Sequence, residues 1–212
     1  THSYSSAASD VYKRQNLQYH FLPLAINYDG SSPHRGDGFQ FHVGTMRSKS
    51  RGFVAIKNAD PHNSPTIKFN YLSHSDDLKD FRNAIRITRN ILDQPAFKDF
   101  AGQEIQPKPT VKSNRELDEF IKSSVESAFH PCGTCKMGDP ADKETVVTPE
   151  CKVNGVENLF CADASIFPSI TNGNLNAPSI MVGEKAVDHI LNKPLLPKEN
   201  FCLLYTSDAA DE

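Results

Sequence analysis

The hydrophobic period of this chain lengthens near residue 75, and that change restricts the fold more than any other feature. Before it, apolar residues alternate with polar ones. In GFQFHVGTM, Phe39, Phe41 and Val43 alternate with Gln40, His42 and Gly44; in TIKFNYL, Ile67, Phe69 and Tyr71 alternate with Lys68 and Asn70. The links YDGSSPHRGDG and KNADPHNSP are built from turn residues. Residues from Leu17 to Leu72 are therefore expected to form an antiparallel sheet with one buried face. After the change, Leu78, Phe81, Ile85, Thr88 and Leu92 recur at helical spacing, with Asp76 and Asp77 in the first turn and Pro95 beyond the end. Strands followed by helices predict an α+β fold, an antiparallel sheet backed by helices.

A second helix is predicted after Ser113. Ser113 and Glu116 form a capping-box pattern, and Leu117, Phe120, Ile121, Val125 and Ala128 make an apolar stripe that runs up to His130. Turns follow Pro131, then one short strand around Asn158 to Ala162. A third helix is expected from about Ala177 to Asn192, with Pro178 in its first turn. Ile180, Met181, Val187, Ile190 and Leu191 are its expected buried face.

The two ends carry no hydrophobic period. One short oligonucleotide encodes SSAASDVYKRQ, and its reverse complement encodes CLLYTSDAADE, so residues 1–15 and 202–212 read as translated adaptor sequence rather than native protein. A net charge of −3 gives no reason to expect a nucleic-acid partner. No apolar run approaches the roughly 18 residues that span a bilayer, and localisation is not legible. With Cys202 assigned to the adaptor, Cys132, Cys135, Cys151 and Cys161 remain. Four cysteines raise a zinc or disulfide reading, but no second C-x-x-C is present and Cys161 lies in the apolar run LFCADAS. No metal is expected.

The chemistry is concentrated in FHPCGTCKMG and in VNGVENLFCADASIFPSITNGNLNAPSIMVGEK. A histidine beside a proline turn is held in place. GNLNAPS sets two asparagines and a proline where a helix begins, and the unpaired amides of a helix start favour an electron-rich oxygen or ring. No G-x-G-x-x-G occurs, so a nucleotide domain would have to lie upstream.

These segments, HPCGTCKMG, VENLFCADASIFPSI and GNLNAPSIMVGEK, resemble the carboxy-terminal signature of the glucose–methanol–choline (GMC) family of flavin-dependent oxidoreductases. NLQYHFLPLAINYDG, GFQFHVGTMRSKSRGFVAIKNADPH and FNYLSHSDDLKDFRNAIRITR resemble, in the same order, its choline-oxidising branch. The resemblance covers Asn16 to Leu191 and is to the carboxy-terminal half of such an enzyme. It implies FAD as cofactor, a partial substrate domain over residues 16–128, and a segment over 129–198 that completes an FAD-binding α/β domain and the active site.

The resemblance also assigns roles. His130 would accept the hydroxyl proton of choline, or stabilise the alkoxide, while the hydride passes to flavin N5; the residue-level alternative is a histidine that orders the Pro131 turn. Asn174 would position the substrate oxygen, or serve only as a turn residue beside Gly173. Asn176, Ala177 and Pro178 would meet the flavin edge, and Asp163 and Ala164 would touch FAD, although an aspartate in a turn is otherwise solvated or capping. His20 and Phe129 would line the substrate pocket, with His20 on a solvated strand face as the alternative. The implied product is betaine aldehyde, the implied electron acceptor a membrane quinone or another acceptor, and the implied location the mitochondrial inner membrane or a bacterial cell membrane. This stretch alone is expected to be inactive. The alternatives are another GMC alcohol dehydrogenase or oxidase, and a non-enzymatic zinc or thiol module.

Overall fold

The computed structural model of the chain describes residues 16–27, 30–31 and 36–194. The two terminal adaptor peptides and residues 195–198 of the carboxy-terminal segment lie outside the described residues. What is described falls into two compact units, residues 16–129 and 130–194.

In the first unit, β1 (Leu17–Leu22) pairs antiparallel with β2 (Gln40–Thr45), in the register Tyr19 opposite Val43, His20 opposite His42 and Phe21 opposite Phe41. Alternation does what the sequence predicts here. Tyr19, Phe21 and Phe41 share one face, where the Phe21 and Phe41 ring centroids are 5.4 Å apart and Tyr19 meets Phe41 edge-on at 6.0 Å. Phe97 continues this cluster against Phe39 and Phe41, each at 6.4 Å. Helix α1 (Ser75–Leu92) packs on β2, and its Thr88 hydroxyl donates to the Tyr19 oxygen at 3.2 Å. Gln18, His20, Gln40 and His42 occupy the opposite, polar face, as the period of two requires.

The expected single sheet is instead two separate two-stranded ones, because β3 (Phe53–Ala55) pairs only with β4 (Thr66–Lys68). The run TIKFNYL stops short as a strand since Asn70 and Leu72 take positive φ. All six residues of β3 and β4 are exposed, so this ribbon lacks the predicted buried face.

Both predicted helices of the first unit form. His74 caps α1, its Nδ1 accepting the Asp76 amide at 3.2 Å. Ser113 and Glu116 make the full reciprocal capping box of α2 (Asn114–Ser124), with the Glu116 amide donating to Ser113 Oγ and the Ser113 amide to Glu116 Oε2 at 2.9 Å. The α2 stripe ends sooner than expected: Leu117 and Ile121 are buried, but the helix stops at Ser124, Val125 is extended and Ala128 is exposed. Arg82 joins α1 to Asp118 of α2 at 2.5 Å.

The buried residue in the first turn of α1 is a carboxylate. Asp77 is 2% exposed and accepts Ser48 Oγ at 2.7 Å, the Lys49 amide at 2.8 Å, the Ser50 amide at 3.1 Å and also Ser50 Oγ. Burial pushes this carboxyl up, and the four donors together outweigh burial and hold it below the usual aspartate range.

The second unit is built mostly from turns around one apolar core: Val147, Cys151, Ile166, Phe167, Leu175, Val182 and Ala186. The strand expected around Asn158 to Ala162 does not form. Asn158 takes φ 57°, and the segment pairs at one isolated bridge, Lys152 with Phe160. Helix α3 spans Asn176–Ile190. Its buried face is Val182 and Ala186, whereas the expected face is turned outward, with Ile180 59%, Met181 64% and Leu191 60% exposed. Apolar residues lie on both sides of this helix, and the period alone does not say which side meets the core. No helix among the described residues is long and apolar enough to cross a membrane.

Candidate active site

Two of the sequence motifs are stitched together by main chain. The amides of Gly133, Cys135 and Met137 donate to the carbonyls of Ala164, Ser165 and Ile166 at 3.3, 2.8 and 2.8 Å. Alternate residues of HPCGTCKMG thus reach successive carbonyls of the short 3₁₀ turn Ala164–Ile166. Gly133 is needed at this junction: its φ is +87°, and an added Cβ would lie 3.2 Å from the Phe167 carbonyl oxygen. His130 leads into the ladder three residues earlier. Its ring is half-buried, and no described residue hydrogen-bonds to it. The residue before it, Phe129, closes the first unit with φ 59° and 74% exposure, an unusual backbone for a bulky side chain.

Asp163 caps the 3₁₀ turn, its Oδ1 accepting the Ser165 amide at 2.8 Å. The Ser165 side chain and amide hold this carboxyl below its usual range. Capping is therefore one role Asp163 performs within this fold. Ala164 is half-buried and packs against the core.

The GNLNAPS segment is a tight turn leading into α3. The Gly173 amide donates to the Thr171 carbonyl at 3.0 Å, Gly173 has φ 143°, and Leu175 is buried and anchors the helix start. Asn174, exposed, sits between these two fixed points. Leu175 supplies no side-chain cap, so the first-turn amides at Asn176 and Ala177 lack the usual partner. Pro178 follows at the third helical position, and Ser179 closes the turn onto the Leu175 carbonyl at 2.9 Å. Five residues before this helix, the Thr171 hydroxyl oxygen is buried with no hydrogen-bond partner among the described residues. An orphaned hydroxyl and an uncapped helix start suit a ligand with polar, electron-rich edges.

His130, Asp163, Ala164, Asn174, Asn176, Ala177 and Pro178 all belong to the second unit. His20 and Phe129 belong to the first, with His20 half-buried on β1 opposite His42. Sequence reasoning passed over Thr171, whose signal is invisible before burial is known, and Gln40 and His42, whose place on the polar strand face was visible in the alternation.

Cys132, Cys135, Cys151 and Cys161, the cysteines among the described residues, form no disulfide with one another. Burial, with Cys161 and Glu150 adding to it, pushes the Cys151 thiol up; burial likewise raises Cys161, whose sulfur lies 3.1 Å from Ser165 Oγ. Among the described residues no group of three or more His, Cys, Asp or Glu side chains is placed to hold a metal ion.

A family model described as GMC oxidoreductase matches residues 48–183. An oxygen-dependent choline dehydrogenase from Brucella ovis is 60% identical over 185 residues, covering 87% of this chain and 34% of the relative. One from Rhizobium rhizogenes is 54% identical over 188 residues, covering 89% and 34%. The chain thus spans about a third of the length of these relatives, less than the half that the sequence suggested. Among solved structures, pyridoxine 4-oxidase from Mesorbium loti superposes with TM-score 0.76 at 28% identity, over 85% of this chain and 35% of that one. A formate oxidase from Aspergillus oryzae RIB40, determined to study its FAD modification, gives 0.77 at 28% identity, over 84% and 31%.

Proposed function

We infer the function from one premise: the chain belongs to the GMC oxidoreductase family. The reading is that this is a carboxy-terminal segment of an FAD-dependent enzyme that oxidises choline to betaine aldehyde. The observation that carries it is the 60% identity, over 185 residues, to proteins named for choline.

The residues fit the cofactor on two counts, the orphaned Thr171 hydroxyl and the uncapped start of α3. Asn176, Ala177 and Pro178 would hold the electron-rich edge of the ring, and Asp163 and Ala164 the turn beside it. FAD, when bound, supplies the acceptor for a hydride from the carbinol carbon. His130 removes the hydroxyl proton at a ring nitrogen, work suited to a side chain that ionises near neutral pH. Asn174 orients the alcohol oxygen by a hydrogen bond, and His20 and Phe129 meet the rest of the alcohol. An aromatic face such as Phe129 suits a quaternary ammonium, which has no proton to donate.

Delivery of electrons to a membrane quinone or another acceptor, and attachment to a bacterial cell membrane or the mitochondrial inner membrane, belong to the same reading. The names of the relatives favour oxygen as one acceptor. A zinc or thiol module is disfavoured because burial raises the Cys151 and Cys161 thiols and keeps them protonated.

The test is anaerobic flavin reduction in the full-length protein with a panel of alcohols. Choline is expected to win by a wide margin; preference for pyridoxine or an aryl alcohol would remove the choline assignment and leave the family untouched. In His130→Ala, flavin should remain bound while its reduction by choline slows by about 10²–10⁴-fold, the range for a lost general base. Unchanged stopped-flow reduction would remove His130 from the chemistry.

A further inference from the structure

The polar face of β1–β2 holds a hydrogen-bond chain whose direction follows from its one fixed donor, a backbone amide. The Ile26 amide donates to Gln40 Oε1 at 2.9 Å. A backbone N–H only donates, so the Gln40 atom it meets is the oxygen and the amide nitrogen lies at the other end. That nitrogen sits 2.6 Å from His42 Nε2. A carboxamide NH₂ only donates, so His42 Nε2 must accept, and the ring proton of His42 must be on Nδ1. A second proton at Nε2 would set two donors against each other and forfeit the bond.

His20 stands directly opposite His42 in the strand register. Among the described residues the titratable groups that bear on the His42 ring are His20 on β1 and Glu126 after α2. Partial burial, then His20, hold His42 below the ordinary histidine range, against a smaller upward pull from Glu126. Helix α1 also packs on β2; of its cations, Arg82 pairs with Asp118 at 2.5 Å, Arg89 with Glu104 at 3.0 Å, and Arg86 donates to the Asn114 side-chain oxygen, while Lys79 lies in the first turns near Asp76 and Asp80.

We propose that Gln40 and His42 form a tautomer lock that keeps His42 uncharged, so that this face presents at most one cationic imidazole, His20, to a quaternary ammonium alcohol. His42 is then a positioning residue for charge selection: it acts through His20 and through the potential of the face, not on the reacting atoms. This consequence rests on the reading above that His20 meets a cationic substrate. The lock itself rests only on the geometry.

Two measurements on the full-length holoenzyme test it. In long-range proton–nitrogen spectra of histidine-labelled protein, with His42→Gln used to assign the signal, His42 is expected to carry its proton on Nδ1 at neutral pH. It should stay neutral as the pH falls through about 6.5, where an ordinary histidine is half protonated. Gln40→Met, which removes the donor, should let His42 take up a second proton at a higher pH than in the wild type, although burial and His20 still hold it below the ordinary range. At a pH where the spectra show His42 charged in the variant and neutral in the wild type, the variant should raise KM for choline about threefold to tenfold more than KM for its uncharged tert-butyl isostere, the effect of one added unit charge near a protein surface, with kcat moving less than KM.

An Nε2–H signal for His42 at neutral pH, or an unchanged choline-to-isostere KM ratio in Gln40→Met, overturns the proposal. If Gln40→Met does not fold, or if choline proves not to be the substrate, the wild-type spectra still decide: Nδ1–H sustains the lock and Nε2–H ends it. Failure of choline turnover alone counts against the substrate reading, not the lock.

Discussion

Asp77 keeps its charge at 2% exposure because Ser48, Lys49 and Ser50 turn two hydroxyls and two amides onto it. Hydrogen bonds to a charged group contribute about 1.5–3 kcal/mol each, and removing their acceptor leaves several buried donors unpaired. Asp77→Ala is therefore expected to cost about 3–5 kcal/mol of stability, measured by urea denaturation of the full-length protein. The pH dependence has a definite sign. The folded carboxyl titrates below its unfolded value of about 3.9, so its contribution is complete above that pH and is lost as pH falls through the lower, folded value. Wild type should lose stability to acid over that window, and Asp77→Ala should lose less; parallel acid profiles for the two proteins would refute the assignment. The sequence placed Asp77 correctly in a first helical turn, where the helix dipole favours it. It could not announce the burial, because the donors lie 27 to 29 residues upstream and no local pattern links them.

Helix ends were the most legible elements because their chemistry is local. Ser113 and Glu116 are three residues apart and bond each other in both directions, so the pattern and the structure coincide. Ser113→Ala should cost about 1 kcal/mol, seen as a lower denaturation midpoint with an unchanged slope; no shift would mean that Glu116 alone holds the end of α2. The β1–β2 pair was legible for a similar reason, since a period of two fixes the faces once the strands are known. What failed needed information from outside the element. The positive φ of Asn70 and Leu72 ends β4 early, and β3–β4 finds no pairing with β1–β2. In α3 the small Val182 and Ala186 approach a core built from turns, while the larger Ile180 and Met181 face outward. The candidate site was legible as motifs, HPCGTC and GNLNAPS, but not as the amide ladder that joins His130's segment to Ala164–Ile166, nor as the orphaned Thr171 hydroxyl.

At the scale of the whole molecule, the proposed function gives the chain one side of a flavin site, with the phosphate-binding loop expected elsewhere in the full-length protein. The chain has no G-x-G-x-x-G, and its proposed contributions are one helix start, one turn and one buried hydroxyl. A few such bonds at about 1 kcal/mol each fall short of the roughly 8 kcal/mol that micromolar affinity requires. Residues 16–194 expressed alone should therefore fail to retain FAD on dialysis, whereas the full-length protein should retain it in stoichiometric amount. Each unit also exposes large apolar side chains, among them Ile56 and Phe100 in the first and Ile180, Met181 and Leu191 in the second. Surface of that kind marks a binding face or an association hazard, so the isolated segment should bind an apolar dye more strongly than the full-length protein does. Circular dichroism has to show the three helices in the segment before either comparison is made. With helices present, tight stoichiometric FAD on residues 16–194 would mean that these few contacts are enough, and the division of labour proposed for the flavin site would have to be abandoned.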